Sequence, residues 1–140
     1  MHDRPTAHEL LTALQRFLDE DVVPATEGRR QFLARVAANV ARTVDRELAS
    51  EEEQLRAEWR GLDALLGVEP EPATRADLRA AIARRTESLC ARIRAGDADG
   101  DTPFRETLFA HLRATVRDKL LVANPAWLPR DGERPKRSPS

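Results

Sequence analysis

A chain of 140 residues is one domain's worth, long enough to bury roughly two thirds of its surface on folding. Its formal charge is −1, with 34% charged residues of both signs mixed along its length, which excludes nucleic acid as the main partner because that calls for a basic face. One Cys cannot close an internal disulfide, no apolar run approaches about 18 residues, no charged-then-apolar leader opens the chain, and strand formers never alternate with polar residues. The expectation is a soluble, cytoplasmic, all-α protein with no membrane partner: a single-domain bundle of four to five helices over 1–129, with a charged, Pro-rich and disordered tail over 130–140.

Taken in order, Met1 to Pro5 is a lead-in, and Thr6 with Glu9 forms a capping box that opens the first helix. Leu10, Leu11, Leu14, Phe17 and Leu18 lie on one side of it. It ends in Asp19-Glu20-Asp21, which oppose the helix dipole, so that end is frayed or is matched by cations such as Arg29 and Arg30. Pro24 stops any continuation and Gly28 allows a turn.

Gln31 to Leu48 is the stretch that organises the rest. Phe32, Val36, Val40, Val44 and Leu48 recur every fourth position, with Ala37 and Ala41 beside them. A four-residue step drifts about 40° per repeat around an α-helix of about 3.6 residues per turn, so this apolar surface predicts a central helix covered by more than one neighbour. Asn39, a mediocre helix former, either bonds a neighbouring helix through its side chain or joins Arg35, Arg42 and Arg46 in a polar strip facing another protein.

Ser50 with Glu53 resembles a second capping box, so a bend or break is expected there. The competing reading is one helix from about Arg30 to Leu66, on the order of 55 Å long at 1.5 Å per residue. Leu55, Trp59, Leu62, Leu65 and Leu66 form its apolar side and Gly67 closes it. Val68 to Ala73, with Pro70 and Pro72, is a connector. Thr74 and Asp77 start the next helix, whose buried line is Leu78, Ile82, Leu89 and Ile93, with Cys90 a half-buried thiol at its edge and Gly96 at its end.

Asp97 to Asp101 supply three carboxylates at calcium-loop spacing, but Thr102 replaces the Gly of the sharp turn and Leu108 the bidentate Glu, so a polar loop is the reading. Thr102-Pro103 suits a cap followed by Pro at the first helical position. The last helix buries Leu108, Leu112, Val116 and Leu120 and stops at Asn124-Pro125. Trp127 then either packs its indole on the bundle or anchors an interface.

Catalytic chemistry is missing from the pattern. His8-Glu9 begins like the zinc-protease helix, but Thr12 stands where the second His belongs. His2, His8 and His111 share no metal spacing, the six glycines are scattered, and Glu51-Glu52-Glu53 suits a helix start. No cofactor, metal site or catalytic residue is assigned, and the chain is expected not to be an enzyme.

Four strings in order carry a resemblance: Arg4-Pro5-Thr6-Ala7 leading into Glu9-Leu10-Leu11, Arg35 to Asn39, Arg46-Glu47-Leu48, and Lys119 to Leu128. Together they resemble a bacterial family of small helical proteins, a domain of unknown function, encoded beside aminoglycoside-phosphotransferase-like kinases and acyl-CoA dehydrogenases. A similar small protein is the partner subunit of the kinase that phosphorylates 4-hydroxyacyl-CoA in levulinate catabolism. The resemblance implies a noncatalytic accessory subunit in a hetero-complex with such a kinase, with the dehydrogenase a pathway neighbour. The chain lacks the His-Gly-Asp-type loop of these kinases, so ATP, Mg²⁺ and the base would belong to the partner. Its expected interface is Arg4, Arg35, Asn39, Arg42, Arg46, Asn124 and Trp127. The alternatives are a self-associating structural or regulatory protein and a stand-alone acyl-CoA-binding module.

Overall fold

The computed structural model describes residues 4–129; the tail expected over 130–140 lies outside the described residues. The all-α class holds, with no strand among those residues. The elements are α1 (Ala7–Arg16), a π-helical segment (Phe17–Val22), α2 (Gly28–Leu66), α3 (Arg75–Arg94), α4 (Pro103–Ala123) and a 3₁₀ turn (Pro125–Trp127). Three expected helix starts are in place. Thr6 accepts from the Glu9 amide while Glu9 reaches back, Thr74 accepts from the Asp77 amide, and Thr102 accepts from the Arg105 amide ahead of Pro103.

The fourth start is not. α2 runs unbroken for 39 residues, so the break expected near Ser50 is absent. Instead of capping, the Ser50 hydroxyl donates to the Arg46 carbonyl at 2.8 Å, and Thr43 does the same to Asn39 at 3.0 Å. A hydroxyl bonded one turn back satisfies itself without interrupting the backbone ladder.

The described residues form two compact units, one taking the chain up to Ser50 with the residues from Leu121 on, the other Glu51 to Leu120. In the first, α1 and the π segment lie antiparallel along the start of α2. His8 Nδ1 sits 2.7 Å from Asp45 Oδ1, Arg42 pairs with Asp19, and Gln31 Nε2 donates to the Val23 carbonyl at 3.1 Å. The acidic end of this segment is therefore matched by Arg42, and by Arg16 on Glu20, rather than by Arg29 or Arg30.

Among the described residues of this unit only alanines are buried: Ala34, Ala38 and Ala41, at helical spacing. The expected central line is on the outside, with Phe32 64% exposed, Val40 56% and Leu48 53%, and Val36 and Val44 also open. The larger side chains of α2 thus face away from its neighbour. Small residues allow two helix backbones to approach closely, and against them α1 offers half-buried Leu11 and the π segment half-buried Leu18 and Val22.

The second unit holds the larger core: Trp59, Leu62, Leu65, Leu78, Ala81, Ile82, Leu89 and Leu108, with Leu55, Leu66 and Phe104 packed against it. Four expected core residues fall outside it, since Ile93, Leu112 and Val116 are exposed and Leu120 is only half-buried. The side of α4 turned inward carries Leu108, His111, Thr115 and Asp118 instead. Its contact with α2 is partly polar: Gln54 donates to the Asp118 carbonyl at 3.3 Å, and Gly61 leaves the room that His111 fills. A Cβ on Gly61 would lie 2.1 Å from His111 Nδ1. Burial lowers the pKa of this imidazole from its ordinary value, with Glu58 raising it in part and Lys119 adding to the fall.

Candidate functional site

The most constrained polar group in the second unit is Arg85, which sequence reasoning did not single out. It lies three residues after Ile82 and four before Leu89, on the apolar row of α3, and is 4% exposed. Its guanidinium stacks 4.4 Å over the Trp59 ring and donates to Asp63 Oδ1 at 2.6 Å, to the Leu62 carbonyl at 3.2 Å and to the Gly67 carbonyl. Arg92, two turns on, donates to the Leu65 carbonyl at 2.7 Å and stacks on Phe104. Both cations take carbonyls in and just past the last turns of α2, where the helix dipole favours positive charge. These arginines finish a helix; they do not form an open site.

Beside the start of α3 a groove of about 450 Å³ is lined by Glu52, Arg56, Glu71, Thr74, Arg75 and Leu78. Its cations are already paired, Arg56 with Glu52 at 2.9 Å and Glu71 at 3.2 Å, and Arg75 with Glu51 at 3.2 Å. In the acidic loop Asp97 accepts from Arg92 Nε at 2.6 Å. Among the described residues no three His, Cys, Asp or Glu side chains are placed to hold a metal ion, and Cys90 is a half-buried free thiol. No helix among them is long and apolar enough to cross a membrane.

The residues expected at a partner interface all belong to the first unit. Arg4 is exposed, with Nε 3.8 Å from Glu9. Arg35 and Asn39 are exposed on α2, and Asn39 makes no side-chain hydrogen bond among the described residues, so its expected bond to a neighbouring helix is absent. Arg42 and Arg46 have work inside the unit: Arg42 holds Asp19, while Arg46 donates from Nε to the Val122 carbonyl at 2.8 Å and from Nη2 to Thr43 at 3.1 Å. Arg46 thereby ties the last turn of α4 to α2, and the 3₁₀ turn follows directly. Asn124 caps that turn without a side-chain bond and is half-buried. Trp127 is 76% exposed, so the indole does not pack into a core.

The best-defined polar features of this all-α protein are therefore helix caps, and Trp127 stands exposed after α4. Residues 24–127 match the family described as a domain of unknown function, DUF6285, and the chain belongs to that family. No curated protein and no solved structure matches it.

Proposed function

We propose that this protein is a noncatalytic accessory subunit that binds and supports an aminoglycoside-phosphotransferase-like kinase acting on hydroxyacyl-CoA. The observation that carries the reading is the ordered set of strings between Arg4 and Leu128, of which the second and third lie within the span matched by the family. The exposure of Trp127 supports it, because a large aromatic left in water beside a fixed turn is a common interface anchor. Arg46 supports it indirectly: by fixing the end of α4 it holds the Trp127 turn in one place, so less ordering is needed on binding. Arg35 and Asn39 are free to form polar contacts on the same strip. The kinase would supply nucleotide, Mg²⁺ and base, and this subunit would stabilise the folded partner by mass action or complete its acyl-CoA pocket.

The test is co-expression with the neighbouring kinase, followed by ATP consumption on hydroxyacyl-CoA with and without this chain. Co-purification and dependence of turnover on the chain are expected, with Trp127→Ala weakening capture at least tenfold and leaving helix content unchanged. Full turnover by the kinase alone overturns the proposal.

A further inference from the structure

The outward face of α2 carries Phe32, Leu33, Val36, Ala37, Val40, Val44 and Leu48, each exposed. This ridge is about 24 Å long at 1.5 Å per residue. Its area is on the order of 500 Å², near the top of the range for the largest apolar patch on a monomer, and patches of that size mark interaction sites. At about 100° of rotation per residue it points away from the arginine strip, so it is a second surface.

We propose that a second copy of this chain covers the ridge, with the two α2 helices antiparallel about a twofold axis that passes between Val36 and Val40. Two features of the ridge select that occupant. The first is charge at its ends: Arg29 and Glu47 lie on the same face, one at each end, both exposed, and neither has an ion-pair partner among the described residues. An antiparallel copy brings Arg29 against Glu47 of the partner subunit, twice; a parallel copy would set like charges together. The second is register. Pairing residues whose numbers sum to 76 places Phe32 against Val44 of the partner subunit and Val36 against Val40 of the partner subunit, so the same shift that joins the charges also joins apolar side chains. A twofold interface requires one surface to be complementary to itself in this way. Closing the two ridges would bury roughly 1,000 Å² in total, the level a specific interface needs. The inference does not depend on the kinase reading.

Sedimentation equilibrium of the full chain alone tests it. A dimer is expected, with Val40→Glu weakening association at least tenfold while circular dichroism stays unchanged, since that side chain supports no core. Arg29→Glu and Glu47→Arg should each weaken the dimer several-fold, and the double variant should restore it to within about twofold. A monomer at tens of micromolar overturns the proposal, as does a dimer that ignores Val40→Glu or single charge reversals that the double variant fails to rescue. A monomer whose capture of the kinase is lost on Val40→Glu also overturns it and assigns the ridge to the kinase.

Discussion

Arg85 places a guanidinium where α3 would otherwise present an apolar side chain, and its surroundings explain why that is tolerated. Two nitrogens reach Asp63 and two carbonyls of the α2 terminus, the flat face lies on Trp59, and Nε, buried and without a hydrogen bond, is 3.7 Å from Glu69. A planar fork can serve an anion and carbonyls together, which a lysine ammonium cannot do with the same geometry. Truncation would leave Asp63, itself only 19% exposed, and the carbonyls unpaired. Arg85→Ala is therefore expected to lower unfolding stability by about 3 kcal/mol, read from the urea midpoint, with Arg85→Lys recovering part of it. An unchanged midpoint would mean that water replaces the fork at no cost.

At the scale of elements, Ser50 separates two readings that assign opposite signs to one substitution. As an N-cap, its loss to Ala would cost about 1 kcal/mol; as a residue inside a continuous helix, the same change would gain up to about 0.5 kcal/mol through better helix propensity. The hydroxyl bonded to the Arg46 carbonyl predicts the gain, and thermal unfolding of Ser50→Ala measures it. Much of the element map was legible because caps are local. Thr6 with Glu9, Thr74 with Asp77, Thr102 with Pro103, and Gly67 at positive φ each act within a few residues of themselves. Ser50 misled because the same residue spacing serves a cap or a back-bonded turn, and only the preceding helix decides which.

Facing directions were less legible than elements, since the apolar period of a helix does not say which of its sides finds a neighbour. The Trp59–Leu62–Leu65 side was read correctly because Leu78, Ile82 and Leu89 offered a matching row. The four-residue recurrence from Phe32 to Leu48 points to a covered face, whereas the residues buried in the first unit, among those described, are alanines on another side of the helix. The Trp127 corner was singled out as an interface candidate, while its exposure was left between two readings that sequence could not separate.

For the molecule as a whole, the contrast between a unit with three buried alanines among its described residues and one built on Trp59, six Leu/Ile side chains and Ala81 has an energetic consequence. Burying apolar area stabilises by roughly 25 cal/mol per Å², so the alanine contact contributes much less than the larger core. Amide exchange reports local opening free energies, which follow buried apolar contact. α1, with no buried residue, is expected to exchange at a rate close to that of a frayed helix, while the α3 amides around Leu78 to Leu89 exchange only through the deepest opening. Hydrogen-exchange mass spectrometry of the chain alone checks this, and equal protection of α1 and α3 would refute it. Repeating the measurement with a partner bound extends the argument, because ordering a loosely held unit appears as added protection there. Protection gained around Phe32 to Leu48 would mark the ridge as the covered surface, and protection gained around Asn124 to Trp127 would mark the indole corner.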